Sequence, residues 1–538
     1  MSDTNFIPQV TTIVNTWAQD VNDAVYRAIG TGGGGSAPAT PADVLTNLGL
    51  SPPTGSALIG YTNGATGSIP RTVASKLQES VSVFDFLTAA QIADVQSGAL
   101  TLDLTTEINS AVVAAAGKQL NFPAGSYLYS GGATLGTGTV ISGDGRNTTL
   151  IYSAVAAPSS LFNAAGYGSG LQHIGFKAHV TQTGGNYVTL GSAETYITDF
   201  TMDGDFNGIY MSGSVSRIRH GRFQDGAANA TRIIATGGDN SQVIDDVLMG
   251  AQTPQIVYAG IRVFNNFALM ITNTSVLQQG TALLINPSSS AENVGSMYVD
   301  NCFFDYSSGP NIHINPTGTG SVVRSRFANV WAGDGAADGV SIVNAGTGVI
   351  SGIHFVSPHI MNNVGAGLTT GGTITDLSII GGEISQNAYG VYLNSGITGL
   401  NISSALIGAG GGMNGNTNQA IVLSAGVNTI LISGNDLTGN GASPPISDGT
   451  AAGTTKIISN NLGYNPIAAT PVTYGTSPFT WQNNTGAPVS FITTGGTVSD
   501  ISVAGVSTGM TSGAVTVPQG ESITIPATAA PTLTYLGL

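Results

Sequence analysis

At 538 residues the chain exceeds the ~250 to 300 at which one hydrophobic core stops growing. With 8% charged residues and 76 glycines it also lacks the charge of an ordinary globular surface, so a repeat array or several domains follow, surfaced with Ser, Thr, Asn and Gly. The 41% hydrophobic content excludes disorder beyond short linkers, the net charge of −15 speaks against nucleic-acid partners, and without a run of about 18 apolar residues no membrane insertion is expected.

Between Asn5 and Gly30, the positions Ile7, Val10, Val14, Trp17, Val21, Ala24 and Ala28 alternate three- and four-residue steps, the seam of a short coiled coil. Pro8 suits the first helical turn and Gly30 a stop. So short a helix is unstable alone and is expected to dock on a partner, with Val10, Val14, Trp17 and Val21 as its anchoring face. The run Gly32-Gly33-Gly34-Gly35-Ser36 opens a Gly/Pro-rich linker and neck over 31–70. The first residues show neither the basic nor the apolar region of a Sec signal, which argues against a self-secreted enzyme.

Arg71 to Phe86 is a short amphipathic stretch running into a strand. Glu107 to Ala116 reads as a helix closed by Gly117, and Leu120 to Tyr127 as strand, turn, strand around Pro123-Ala124-Gly125. The first of these runs resembles the segment that introduces the pectate-lyase-like β-helix of bacteriophage tailspikes. The Gly117 helix and the Phe122-Pro123-Ala124-Gly125-Ser126-Tyr127 turn resemble that family's first rung, and the Asn5–Gly30 helix is similar to the virion-anchoring starts of podovirus-type tail fibres.

The middle of the chain repeats without help from the resemblance. Strand-like segments begin near Ser214, Asn240, Asn266, Val294, Gly320, Gly348, Thr373, Gly396, Val427 and Thr454, spaced as solenoid rungs are. Apolar and polar residues alternate within them, as in Thr375-Asp376-Leu377-Ser378-Ile379, and a second strand precedes several, as in Gly390-Val391-Tyr392-Leu393. No helix-length pattern separates the strands, which favours a β-helix over βαβ units. From about Pro471 short strands with turn signals suggest a small β-sandwich, similar to a β domain that ends many phage tail proteins. The expected fold is therefore all-β: an anchor helix over 1–30, a neck over 31–70, a lead-in with short helices over 71–130, a right-handed parallel β-helix over 131–465, and a C-terminal β domain over 466–538 that caps the solenoid or locks a trimer.

Residues that carry chemistry are few. Asp203 in Met202-Asp203-Gly204 and Asp225 in Gln224-Asp225-Gly226 fall at matching places in consecutive repeats, and stacked carboxylates about 5 Å apart suit a glycosidase pair. Asp205 lies beside them, so Asp203, Asp205 and Asp225 are the catalytic candidates. The same column continues through Gln279, Asp305, Asn329, Asn362, Gln386 and Asn440, which reads instead as a polar ladder at a turn. Asp203-Gly204-Asp205-Phe206-Asn207-Gly208 begins like a calcium loop but has Ser214 where Glu is required, and His220, His313, His354 and His359 form no ligand motif, so no metal or cofactor is expected.

Seven of the 14 basic residues are Arg217, Arg219, Arg222, Arg232, Arg262, Arg324 and Arg326, either scattered solvated side chains or a local anion-binding face. Trp331 sits on a Gly-rich loop suited to stacking on a sugar ring, and with Arg217 and Arg219 it is the candidate carbohydrate contact. Cys302, the one cysteine, reads as a buried strand residue. The resemblance implies a homotrimeric virion tailspike in the phage tail, joined to tail or adaptor proteins through the N-terminal helix, that binds a bacterial surface glycan during host adsorption. It leaves open whether such a glycan is cut, by hydrolysis or by β-elimination. A non-catalytic receptor-binding or structural tail protein is the first alternative and a cellular polysaccharide lyase the second.

Overall fold

The computed structural model describes residues 60–61, 66–77, 79, 81–237, 241–250, 257–394, 396–409, 414–451, 453–465 and 467–537. The helix expected over Asn5–Gly30, with Val10, Val14, Trp17 and Val21, and most of the neck lie outside them. Two compact units divide the chain, residues 1–81 and 82–538. In the first, Gly60–Tyr61 pairs antiparallel with Arg71–Thr72, and the short helix Val73–Leu77 follows.

The second unit is an all-β solenoid of parallel strands. One sheet stacks 13 strands, from Ala133–Leu135 to Ile446–Asp448. The other, called here the bent sheet, runs from Gln119–Phe122 to Lys456–Ser459 and changes direction within each rung. Its aligned positions Arg217, Val243, Met270, Tyr298, Arg326, His354, Ser378, Asn401, Leu431 and Ile457 step by 23 to 30 residues, the period legible in the sequence.

What holds the rungs together is an inward column. Leu120, Ile141, Leu171, Ile197, Ile218, Ile244, Ile271, Val299, Phe327, Phe355, Ile379, Ile402, Ile432 and Ile458 lie over one another in register, and each is wholly buried. Each contributes about 1.5–3 kcal/mol of burial. Phe327 and Phe355 stack at 4.8 Å within it.

The corner of the bent sheet is set by one residue per rung in the left-handed region. His173, Asp199, His220, Asp246, Asn273, Asn301, Asn329, Ser357, Gly381, Ser404, Gly434 and Asn460 follow one another through the register with φ between 48° and 68°. Asn, Asp, His and Gly tolerate this conformation best, and ten of the twelve corner residues are of those types, Ser357 and Ser404 being the others.

Both solenoid ends are covered. At the start, helix Thr105–Ala114 buries Ile108, Ala111 and Val112, and the Leu104 N–H donates to the Leu128 carbonyl. Helix Ala89–Ser97, closed by a Thr88/Gln91 capping box, adds a second element that the sequence reading had not separated out. At the far end two four-stranded antiparallel sheets face each other over Val489, Phe491, Ile501, Val517, Ile523 and Ile525. The Ile458 N–H of the last rung donates to Gly486 of that domain, so the sandwich satisfies the solenoid's open edge. No helix among the described residues is long and apolar enough to cross a membrane.

Candidate carbohydrate-binding face

The outer surface of the bent sheet differs from that of the 13-strand sheet. On the latter the outward column mixes small polar residues (Thr134, Asn163, Thr189, Ser341, Thr369, Ser447) with isolated larger ones (Tyr210, Arg262, His313, Tyr392), and among the described residues no two rings of that column stack on each other. On the bent sheet one outward column reads Arg222, Leu248, Ser275, Phe303, Trp331, His359 and Glu383. Phe303 and Trp331 stack with ring centroids 5.7 Å apart and 19° between planes, and Trp331 and His359 follow at 6.5 Å and 22°. Phe303 is 47% exposed and Tyr306 beside it 56%. Such a run of aromatic faces on a rigid sheet offers apolar area at little entropic cost.

Carboxylates flank the stack. Asp305 is half-buried and its carboxyl is pushed above the usual range by burial; the Trp331 indole opposes this, and the charge of Asp334 adds to it. The indole N–H faces this carboxyl but neither Nε1 nor Asp305 Oδ1 closes a hydrogen bond among the described residues. Asp334 accepts from Asn362 Nδ2, and Glu383 from the Ser385 hydroxyl at 3.0 Å. Sequence reasoning singled out Trp331 but missed Phe303 and His359 as its partners. The signal was present, since 303, 331 and 359 are spaced by 28 residues, one rung each, but only a fixed strand register shows that they coincide.

The catalytic candidates sit lower on the solenoid. Met202 pairs with Phe223, so Asp203 comes level with Gln224 and Asp225 lies one residue further on; the Gly204 N–H donates to the Asp225 carbonyl at 2.5 Å. The Asp203 carboxyl is raised by burial, lowered by Lys177, raised again by Asp225 and lowered by Arg232. Asp205 is wholly buried and ion-paired with Arg232, itself wholly buried, whose other end donates to the Gln224 carbonyl. That pairing gives Asp205 a structural role inside the wall, and it also takes the second carboxylate of the calcium-like run; among the described residues no group of three His, Cys, Asp or Glu is gathered for a metal.

The polar ladder is real but shares only Asn440 with the expected column. Buried Asn363, Asn387 and Asn416 pass side-chain hydrogen bonds upward at 2.9–3.2 Å, ending on the partly buried Asn440. Asn362 and Gln386 fall one residue away and take left-handed corner positions level with Asp334, and Asn329 belongs to the corner of the bent sheet. Repeats of unequal length let a sequence alignment slip by one residue, and in a strand one residue reverses the face.

Of the seven arginines, Arg217, Arg219, Arg222, Arg324 and Arg326 are exposed on the bent sheet. Arg262 lies on the other sheet, over the Phe264 ring and bonded to Asn286. Cys302 is buried and its thiol pushed up to about 12 by burial.

Neither a protein-family model nor a curated protein sequence matches the chain. Solved structures do. The tailspike of E. coli bacteriophage HK620, in a double-mutant form, superposes with a TM-score of 0.56 at 14% identity, over 92% of this chain and 99% of that one. The fold is that of a phage tailspike. A single mutant of the same tailspike, solved in complex with a pentasaccharide, gives 0.55 at 14% identity over 91% of this chain and 99% of that one. The A-module of the Azotobacter vinelandii mannuronan C-5 epimerase AlgE6 gives 0.50 at 14% identity, over 71% of this chain and 98% of that one. The parallel β-helix with a β-sandwich end expected from the sequence is the architecture observed in the described residues.

Proposed function

We propose that this chain is a virion tailspike that binds a bacterial surface polysaccharide through the outer face of its bent sheet. The observation that carries this reading is the Phe303–Trp331–His359 stack, a ladder of three rings on consecutive rungs of one outer face. The structural likeness to a tailspike solved with a pentasaccharide supports it. In the same reading the chain acts as a homotrimer during host adsorption, held in the phage tail by the Val10, Val14, Trp17 and Val21 face of its N-terminal helix. Deletion of residues 1–36 then abolishes incorporation into virions and leaves glycan binding intact. Trp331→Ala weakens binding to host capsule or lipopolysaccharide glycan by about tenfold, the scale of one aromatic stacking contact. Unchanged binding in that variant would remove the stack from the site.

A hydrolytic reading has specific support in two acid pairs, Asp305 beside Asp334 and Asp203 beside Asp225, each with one carboxyl raised by burial and by its neighbour's charge. Release of reducing ends from the bound glycan, lost in Asp305→Asn or in Asp203→Asn, identifies the acid. Binding without release leaves a receptor-binding spike, and release of an unsaturated product indicates a lyase.

A further inference from the structure

With 29 acidic residues against 14 Lys and Arg, an exposed arginine in this chain has carboxylates to spare. On the bent sheet the carboxylates are taken by other donors. Asp245 accepts from Thr272 and Asn273, Asp300 from Asn329 and Asp334 from Asn362. Asp199 and Asp246 each lie 2.7 Å from a histidine, His173 and His220, and Asp376 lies 3.7 Å from His354. Arg219 reaches Asp245 only at 4.0 Å, and Arg146 reaches Asp199 at 3.4 Å. Arg217, Arg222, Arg324 and Arg326 form no ion pair among the described residues, and the Arg326 guanidinium lies 5.8 Å from the Tyr298 ring centroid.

These cations are ordered by the fold. Arg217 and Arg326 occupy one outward column four rungs apart, about 19 Å at the spacing of β-strands. Between them stand Val243, Met270 and Tyr298. On the neighbouring arm Arg222 and Trp331 are also four rungs apart, with Leu248, Ser275 and Phe303 between. The face thus alternates along the solenoid axis: a cationic band, an apolar and aromatic stretch, and a second cationic band.

Resting on the proposed polysaccharide function, we infer that the ligand of this face is an acidic polysaccharide lying along the solenoid axis. Its anionic groups, carboxylate or phosphate, engage Arg217 and Arg326 at a spacing of about 19 Å, and its sugar rings rest on Tyr298 and Phe303 between them and on Trp331 level with Arg326. A guanidinium without an internal partner recognises either anion with two parallel hydrogen bonds. A neutral glycan offers these four guanidinium groups hydroxyl acceptors but no counter-charge. A nucleic acid fits poorly, because its phosphates recur about every 3.4 Å along a strand, far more densely than the arginine bands.

The test is an array of bacterial surface polysaccharides, neutral and acidic, probed with the full-length protein. The acidic polymers are repeated after carbodiimide reduction of their carboxylates and after removal of phosphate with hydrofluoric acid. The expected result is binding confined to acidic polymers and abolished by one of the two treatments, which tells carboxylate from phosphate. Arg217→Gln and Arg326→Gln each weaken that binding by about tenfold and flatten its salt dependence, while Arg262→Gln on the other sheet leaves it unchanged. Strongest binding to neutral polymers, or full binding by the double Arg217→Gln/Arg326→Gln variant, overturns the acidic-ligand inference and leaves polysaccharide recognition standing. Silence across the array overturns both.

Discussion

The same corner of the solenoid, just before the 13-strand sheet, is filled in two ways. In the upper rungs Asn363, Asn387 and Asn416 each donate to the next amide, ending at Asn440, and all four donate to backbone carbonyls, so each of these rungs is completed by the one above. In the lower rungs the space beside Gly208 is filled by Asp205 and Arg232, a buried ion pair that closes on itself. Asp205 Oδ2 and Arg232 Nε are left without a partner there, whereas no ladder amide is. An amide can propagate because it donates and accepts at once; an ion pair is worth having only where its desolvation is repaid locally.

The largest effect expected from breaking this contrast is at Arg232. Arg232→Ala strands the Asp205 charge inside the wall and destabilises the solenoid by about 3–5 kcal/mol. The paired change Arg232→Met with Asp205→Leu removes both charges and recovers most of that loss, as read by chemical denaturation. If the single and double variants prove equally unstable, the pair is a packing element and its charges are incidental.

Next comes Asn387, whose amide donates to Ile360, Ser385 and Asn416 and accepts from the backbone and side chain of Asn363. Asn387→Leu leaves donors of Asn363 unanswered and costs about 2–3 kcal/mol. Asn440, at the top of the ladder and only partly buried, receives from Asn416 but passes nothing upward to another ladder amide; Asn440→Leu costs about 1 kcal/mol less. A flat profile along the ladder in denaturant titrations would mean that the amides act singly.

How much of this could be read from the sequence follows from the same physics. The rung period and the inward column were legible, because alternation of Ile, Val and Phe with polar residues survives any slip of alignment by a whole rung. The trimer was suggested by resemblance, whereas the anchor helix was also read from its heptad seam and the glycan contacts from Trp331 and the arginines. The site was legible only in part. Trp331 stands out by type, but the Phe303 and His359 that extend it are ordinary residues made special by lying 28 positions to either side. Asp205 read as a candidate acid because nothing local in Asp203-Gly204-Asp205 reveals that Arg232, 27 residues later, will be folded inward against it. Likewise Asn363 was hidden behind Asn362, since both are asparagines at a turn and only the strand register decides which side chain enters the wall.

Between the two corner types polar satisfaction is incomplete: Asn311 joins its rung to Asn363, but Gln279 Oε1, Asp305 Oδ1 and Ser307 Oγ are buried without partners among the described residues. Asp305 therefore offers the smallest and most discriminating change. Its carboxyl titrates above the usual range because burial, reinforced by Asp334, outweighs the indole of Trp331. A raised carboxyl favours the protonated form on folding, so its stabilising contribution is full below the unfolded value and is lost as pH rises through the folded one. Asp305→Asn keeps the shape and removes the titration. The thermal midpoint of that variant should match the parent near pH 3, where the carboxyl is protonated in both states, and exceed it modestly at pH 7. A variant that is less stable at pH 7 would show that the ionised carboxylate is held by the face around Trp331, which would make Asp305 part of a preformed anionic site rather than a strained acid awaiting a ligand.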